Sequence, residues 1–288
     1  MRLPHVTCLC PTFRRSKLLS NSISCFLEQD YPEESRNLIV LDDAGELSPS
    51  ETKHREIASL IKIATVDRRF NSITEKYNAM LGMCRYADVI CVWEDDDIYL
   101  PWHISSIVRS IPLVGWCKPE EVFSLYTGTL MKEPAAGRFH ASLGVSKFLM
   151  DNVGGWPVTR RADFDQKFMS NLSEAGRTVA PDYRERGAPS YVFRWGSTQQ
   201  PHGQSFMKSP GCTTWWDDAG RRIPSEGSNI VVNPEMDSET RAIFNQPGTV
   251  RRIEIVLPPV ANHFAPGHRI RLDISSSNFP KFEVNSNT

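Results

Sequence analysis

The sequence lacks the features of several common protein classes. No apolar run approaches the ~18 residues that a membrane-spanning helix needs, and MRLPHVTCLCP, the first stretch, has no apolar segment of signal-peptide length. The 33 basic and 34 acidic residues nearly cancel, so no overall field favours nucleic acid or an anionic membrane. We therefore expect a soluble, cytoplasmic protein with no membrane span and no nucleic-acid partner.

Signatures of three kinds of chemistry are also missing. The chain has no G-x-S-x-G nucleophile elbow, and PTFRRS stands where a glycine-rich phosphate loop would follow the first predicted strand. Cys8 and Cys10 are too close together to form a zinc pair, and no second cysteine pair would complete four ligands. We expect the cysteines to be reduced and structural, because most of them lie inside apolar runs.

The first hundred residues alternate between two hydrophobic patterns. The apolar runs HVTCLCP, NLIVL, IKIATVD and VICVW predict buried strands. Leu19, Ile23, Phe26 and Leu27 have helical spacing, and further helices are predicted over about 50–60 and over TEKYNAMLGMCRYA. Strands separated by helical crossovers form parallel sheets with helices on both faces. The sequence therefore predicts an α/β fold.

Acidic residues follow two of these strands. Asp42 and Asp43 follow the second strand, and Glu94 to Asp97 follow VICVW. Ligands bind beyond the carboxyl ends of strands in such sheets, and adjacent carboxylates repel one another unless a cation or several donors neutralise them. We favour a divalent metal site, whereas a solvated acidic turn is the alternative for either cluster taken alone.

Four stretches occur in the order seen in family 2 glycosyltransferases of the GT-A fold. They are VTCLCPTFRRSKLLSNSISCFLEQDYPE, LIVLDDAGE, EKYNAMLGMCRYADVICVWEDDDIYLPWHI and NVGGWPVTRRADFDQKF. The resemblance covers about residues 5–215 and implies a Rossmann-like, mostly parallel central sheet with helices on both faces. We expect a GT-A domain over 1–245, with a nucleotide-binding half over about 1–100, an acceptor half over about 101–215 and a peripheral segment over 216–245. A short helix is expected near 237–244.

The resemblance also implies roles for individual residues. Asp95, Asp96 and Asp97 resemble the DXD-type motif, with Asp97 as the direct metal ligand and Asp95 or Asp96 nearer the donor ribose. Asp43 resembles the acid that hydrogen-bonds the uracil or ribose. The implied metal ligands are Asp95, Asp97 and His202, although His202 taken alone reads equally well as a surface residue. The implied donor-binding residues are Pro11, Thr12, Arg14, Asp42, Asp43, Lys76, Asn78, Asp95, Asp96, Arg194 and Trp195.

Two aromatic positions and one arginine resemble the acceptor side of the family. Arg194 is expected to meet a phosphate, and Trp195 or Trp156 is expected to stack on a sugar face. The alternative for either tryptophan is a position in the hydrophobic core.

A catalytic base is expected in GGWPVTRRADFDQKF. An acceptor hydroxyl needs a nearby base to take its proton, and the family usually carries a Glu-Asp pair where this chain has Ala162 and Asp163. The base is assigned to Asp163, with Asp165 as the reserve. Ordinary capping at a helix N-terminus is the alternative for both carboxylates.

The last stretch has a different character. PPVANHFAPGHRIRLDISSSNFPKF resembles part of the C-terminal jelly roll of cocaine esterase and X-Pro dipeptidyl-peptidase-like hydrolases. We expect a partial jelly-roll-like β tail over 246–288. Esterase activity is not expected, since the chain lacks the nucleophile elbow.

These resemblances lead to one functional hypothesis and one alternative. The hypothesis is a metal-dependent, inverting glycosyltransferase that uses Mn²⁺ or Mg²⁺ and moves a sugar from a UDP-linked donor to a saccharide or other hydroxyl acceptor. The alternative is a non-catalytic GT-A-fold protein that binds a nucleotide-sugar or carbohydrate, because the usual glutamate is absent at position 162.

Overall fold

Strands and helices alternate along the first part of the chain, as the hydrophobic pattern predicts. The computed structural model describes residues 2–47, 59–66, 68–126, 128–159, 163–184, 186–195 and 232–245. The elements are β1 (Val6–Thr12), α1 (Ser16–Leu27), β2 (Arg36–Asp42), β3 (Ile61–Thr65), α2 (Ile73–Leu81), β4 (Val89–Val92), β5 (Ile98–Tyr99), α3 (His103–Ser110), β6 (Gly115–Cys117), β7 (Glu121–Tyr126), β8 (Thr129–Pro134), β9 (Gly144–Ser146), α4 (Lys147–Asn152), α5 (Phe164–Ala175), β10 (Arg177–Val179), β11 (Tyr191–Arg194) and α6 (Ser238–Phe244).

Three expectations lie partly or wholly outside these residues. The helix predicted over about 50–60 overlaps the described ranges only at its end, and the expected β tail over 246–288 lies outside them. His202 also lies outside the described residues. The short helix expected near 237–244 is present as α6.

Seven strands form the central sheet, in the order β10-β6-β9-β4-β1-β2-β3. β1 pairs in parallel with β2 and β4, β2 with β3, and β10 with β6. β9 runs antiparallel between β4 and β6. The predicted α/β fold with a mostly parallel sheet is confirmed. Because β1, β2 and β4 are parallel, their carboxyl ends meet at one edge.

A second sheet of four strands, in the order β5-β11-β7-β8, lies beyond the acidic stretch. β5 follows Asp97 directly and pairs antiparallel with β11, so that Tyr191 lies opposite Tyr99. β7 and β8 form a hairpin from EVFSLYTGTLM and the residues that follow it. This sheet therefore brings residues near position 191 back to the carboxylates.

The helices place their apolar faces in the core. Leu19, Ile23 and Phe26 of α1 are fully buried, as their spacing predicts. α2 begins after Ser72, whose hydroxyl accepts a hydrogen bond from the Glu75 amide at 3.2 Å. This is ordinary N-capping. α2 ends at Leu81, before the end of the predicted helical stretch, and Gly82 follows it.

Arg36 is a buried charge at the start of β2. Its guanidinium donates hydrogen bonds to the carbonyl oxygens of Gln29 and Tyr31, and to that of Leu27 at 3.1 Å. The group also lies over the Phe26 ring, 5.3 Å from its centroid. Arg36 therefore ties the chain that leaves α1 to the first residue of β2.

We expect Arg36→Met to lower the free energy of unfolding by about 2–4 kcal/mol, because three carbonyl oxygens lose a charged donor. Arg85→Met is the matched control on an exposed arginine, and its effect should stay within about 0.5 kcal/mol. Urea denaturation of both variants checks this expectation. Equal effects would show that the buried contacts of Arg36 do not stabilise the fold.

Candidate functional site

Asp95 and Asp96 share one guanidinium group, that of Arg15, at the carboxyl ends of β1 and β4. The Arg15 guanidinium donates to Asp95 Oδ1 at 3.0 Å and to Asp96 Oδ2 at 2.7 Å. The hydroxyl of Thr12, the last residue of β1, donates to Asp95 Oδ2 at 2.7 Å. Both carboxylates are buried, so these donors offset part of the cost of removing their charge from water.

Asp43 forms a second buried ion pair at the same edge. Lys76 Nζ, from α2, donates to Asp43 Oδ1 at 2.6 Å and to the carbonyl oxygen of Thr12 at 2.5 Å. The backbone amide of Phe70 donates to Asp43 Oδ2 at 3.1 Å. Thr12 therefore connects the acid that follows β2 with the acids that follow β4.

Asp97 connects the acidic stretch to the second sheet. The Tyr191 hydroxyl donates to Asp97 Oδ2, and the Arg194 backbone amide donates to Asp97 Oδ1 at 3.1 Å. The Arg194 guanidinium turns toward α6, where it donates to Asp237 and Glu239, each at 2.9 Å. The expected phosphate contact of Arg194 would compete with these two carboxylates.

Glu94 lies between the sheet edge and an aromatic cluster. Its Oε1 accepts a hydrogen bond from the Tyr77 hydroxyl at 3.3 Å and lies 3.7 Å from His140 Nδ1. Its backbone amide donates to the Tyr99 hydroxyl at 2.7 Å. Glu94 is therefore held from both its backbone and its side chain.

Three carboxylates have the proximity that a metal site requires. Oxygen atoms of Glu94, Asp96 and Asp97 all lie within 4.8 Å of one another. Burial, together with the like charges of Asp96 and Glu94, raises the pKa of Asp97 well above its usual range. An all-oxygen, anionic ligand set suits Mg²⁺ or Mn²⁺, so the residues present fit such a cation. Asp95, expected as a metal ligand, lies outside this group of three.

Burial also shifts the pKa values of neighbouring ionisable groups. It raises the pKa of Asp95 to about 6, against the opposing effect of Arg15. It lowers the pKa of Lys76, although Asp43 acts in the opposite direction. Such shifts are common at functional sites, but structural ion pairs produce them as well.

Asp42 has a structural environment instead of the nucleotide contact expected from the sequence. Its two carboxylate oxygens accept hydrogen bonds from the amides of Ala44, Glu46 and Leu47 at 2.7, 2.8 and 3.0 Å. The residue has no exposed surface. The carboxylate stabilises the turn after β2, while the next residue, Asp43, meets Lys76.

Asn78 and Trp156 likewise hold the structure together. The Asn78 side chain accepts from the Trp156 amide and donates to the Trp156 carbonyl oxygen, both at 2.8 Å. The Trp156 ring stacks on Tyr77 and Phe168 with centroid distances of 4.7 and 4.6 Å. Trp156 is 1% exposed, so the expectation that it stacks on a sugar is wrong and the core alternative holds.

The remaining expected donor contacts lie at the ends of β1 and β11. Pro11 belongs to β1, and Arg14 follows it in the loop with a left-handed backbone at φ 55°. Trp195 follows β11, and its side chain is 41% exposed, next to Phe193. Of the expected aromatic contacts, Trp195 is the one with a surface open to a ligand.

Asp163 and Asp165 lie at the start of α5, as predicted. Asp163 is exposed and immediately precedes the helix, and its backbone carbonyl accepts from the Lys167 amide at 3.1 Å. Asp165 is half-buried, and its Oδ1 accepts from the Gln166 amide at 2.8 Å. Asp165 therefore already serves a local backbone donor, in keeping with the capping alternative.

Sequence reasoning missed four residues of this site. Arg15 stands beside the expected Arg14, and no local sequence pattern indicates that Arg15 donates to Asp95 and Asp96. Glu94 belongs to the predicted acidic run, but the implied set of metal ligands does not include it, although its carboxylate lies in the group of three. Tyr191 and His140 come from distant elements, and no local sequence pattern marks them.

The fold is shared with solved glycosyltransferase structures. S. aureus TarS 1-349 in complex with UDP is 14% identical with a TM-score of 0.51, and the match covers 66% of this chain and 60% of that chain. This chain has a GT-A fold. A mannosyltransferase from Pyrobaculum calidifontis, in complex with GDP-Man and Mn²⁺, is 17% identical with a TM-score of 0.48, over 67% of this chain and 57% of that one. The chain therefore spans less than two thirds of the length of either protein.

The C-terminal residues are similar to a different family. Residues 213–288 match the X-Pro dipeptidyl-peptidase C-terminal non-catalytic domain. Cocaine esterase from Rhodococcus sp. (strain MB1 Bresler) is 49% identical over 41 residues, which cover 14% of this chain and 7% of the esterase. The jelly-roll resemblance noted in the sequence is confirmed, and the family match begins earlier than residue 246.

Among the helices within the described ranges, none is both long and apolar enough to cross a membrane.

The buried Asp43–Lys76 pair allows a double-mutant test. We expect Asp43→Asn and Lys76→Met each to lower the free energy of unfolding by about 3 kcal/mol, because each leaves a buried group without its partner. The double variant should lose less than the sum of the two, as urea denaturation would measure.

The exposed Lys147–Asp151 pair is the matched control, since its separation is also 2.6 Å. Its coupling energy should stay below about 0.5 kcal/mol, because water screens a surface pair. Additive effects at Asp43 and Lys76 would contradict the assigned ion pair.

Proposed function

We propose that this chain is a family 2-like, metal-dependent, inverting glycosyltransferase that moves a sugar from a UDP-linked donor to a hydroxyl acceptor. The observation that carries the proposal is the meeting of Asp43, Glu94, Asp96 and Asp97 at the carboxyl ends of parallel strands in a GT-A fold. Ligands bind at this edge in open α/β sheets.

Asp43 is the proposed contact for the base or ribose of the donor. Each of its oxygens accepts a hydrogen bond from a described residue, and a carboxylate oxygen can accept a second. Lys76 holds this carboxylate beside Thr12, at the end of β1. Asp95 is the proposed ribose contact, because Thr12 and Arg15 fix its orientation.

Glu94, Asp96 and Asp97 are the proposed ligands of the divalent cation. When bound there, Mn²⁺ or Mg²⁺ would stabilise the negative charge that develops on the departing nucleoside diphosphate. Tyr191 and the Arg194 amide orient Asp97, while Arg15 restrains Asp96. These fixed partners reduce the reorganisation that ligand binding would otherwise require.

Asp163 is the proposed base. The acceptor hydroxyl would transfer its proton to the carboxylate while its oxygen bonds to the sugar carbon and the diphosphate leaves from the opposite face. One displacement inverts the configuration at that carbon. The chain from Trp156 to Thr159 is fixed on α2 by hydrogen bonds to Asn78 and Thr74.

Thermal melts test the donor site. We expect UDP with Mn²⁺ to raise the melting temperature by about 4–8 °C at 100 times the dissociation constant, which corresponds to about 2.7 kcal/mol. GDP, CDP and TDP should give smaller shifts. In Asp96→Asn the Mn²⁺-dependent part of the shift should disappear, because one of three carboxylates no longer carries charge.

Asp151→Asn is the control, since this exposed aspartate lies on α4 and pairs with Lys147. It should keep the full shift. A cooperative melt with no response to any nucleotide would refute the donor site. An Mn²⁺-dependent shift that persists in Asp96→Asn would refute the cation site.

Hydrolysis of a panel of UDP-sugars tests the base. We expect Asp163→Asn to slow turnover about 10²–10⁴-fold while the UDP-dependent thermal shift remains. Asp165→Asn should change the rate only a few-fold, because its carboxylate serves a backbone amide. If Asp165→Asn has the larger effect, the base is Asp165. If the wild-type chain binds donor without turnover, the alternative of a binding protein is favoured.

A further inference from the structure

His140 has one ring nitrogen whose role is fixed by its neighbour. The residue is 5% exposed and begins a short 3-10 turn before β9. Its Nε2 lies 2.8 Å from Trp156 Nε1. An indole N–H can only donate, so Nε2 must accept, and in the neutral ring the proton must be on Nδ1.

The Nδ1–H group lies near the acidic stretch. It is buried and has no hydrogen-bond partner among the described residues, and Glu94 Oε1 lies 3.7 Å away. The Tyr77 hydroxyl already donates to the same oxygen at 3.3 Å. A small movement of Glu94 would satisfy the Nδ1–H donor, and a buried donor without a partner is costly.

We propose that His140 is a positioning residue for Glu94, the first carboxylate of the cation site. Trp156 sets the tautomer of His140, and the Nδ1–H group of His140 orients the Glu94 carboxylate. The inference rests on the proposed function, in which Glu94 is a ligand. Ligating carboxylates are commonly held by outer hydrogen bonds, which set their orientation. His140 is not itself a ligand here, because Nε2 serves Trp156 and Nδ1 carries the proton.

The contacts from Trp156 through His140 to Glu94 connect α2 with the cation site. Trp156 is held by the Asn78 amide and by stacking on Tyr77. Gly155, just before it, has φ +80°, and a Cβ there would lie 2.5 Å from Asn78 Oδ1. The backbone is thus fixed at Trp156, the residue whose N–H sets the tautomer of His140. A displacement at Trp156 would release the histidine and, through it, Glu94.

Two substitutions at His140 separate its two contacts. The Asn amide nitrogen occupies about the position of ring Nδ1, so His140→Asn can retain the donor to Glu94. The Gln amide lies near the position of Nε2, so His140→Gln can retain the acceptor for Trp156 but not the donor. Trp156→Phe keeps the stacked ring and removes the N–H that fixes the tautomer.

The measurement is Mn²⁺ binding in the presence of saturating UDP, followed by electron paramagnetic resonance. We expect His140→Gln to weaken Mn²⁺ binding about tenfold or more, His140→Asn to remain near wild type, and Trp156→Phe to weaken it by a smaller factor. Tyr77→Phe, which removes the other donor to Glu94 Oε1, should also weaken it.

His103→Gln controls for the loss of a buried histidine. His103 is 1% exposed and bonds Ser190 through Nδ1 at 2.9 Å, so this variant should lower the melting temperature without changing Mn²⁺ affinity. Wild-type affinity in His140→Gln, with normal binding by the wild-type chain, would overturn this inference alone. Absence of Mn²⁺ binding by the wild-type chain would overturn the proposed cation site and this inference together.

Discussion

The structure depends on holding several carboxylates, out of water, at one edge of the sheet. Lys76 pairs with Asp43, and the single guanidinium of Arg15 bridges Asp95 and Asp96, while Thr12 joins the two groups through its carbonyl and hydroxyl. Unpaired charges in such positions are strongly destabilising. β1, β2, α2 and the loop after β4 are therefore fixed relative to one another by charge as well as by hydrophobic packing.

The same constraint positions the second sheet. Asp97 has no exposed surface and takes its hydrogen bonds from Tyr191 and Arg194 of β11. The smaller sheet therefore packs beside the larger one and also supplies the donors that a buried acid requires. Burial raises the pKa of Asp97, so a charge in this position is tolerated only while these donors are in place, which links the second sheet to the carboxyl edge of the central sheet.

The fold was predictable because its signals are local. Continuous apolar runs mark the parallel strands, and the spacing of Leu19, Ile23 and Phe26 marks the buried face of α1. The position of the acids beyond the strand ends followed from the same pattern. Sequence reasoning could therefore identify the edge of the sheet at which a site would form.

The identity of the contacts was harder to predict. Arg15 donates to Asp95 beside a left-handed backbone at Arg14, and a propensity argument does not reveal such a conformation. Tyr191 and Asp97 are 94 residues apart, so only the tertiary fold brings them together.

Residues 232–245 show that a family match in the sequence and the contacts in the structure can differ. They lie within the match to the X-Pro dipeptidyl-peptidase domain, yet Asp237 and Glu239 bind Arg194, and the Asp237 amide donates to Asn21 of α1. The family match therefore includes residues that contact the GT-A domain, and a division of the chain at residue 213 would separate the Arg194 guanidinium from these two carboxylates.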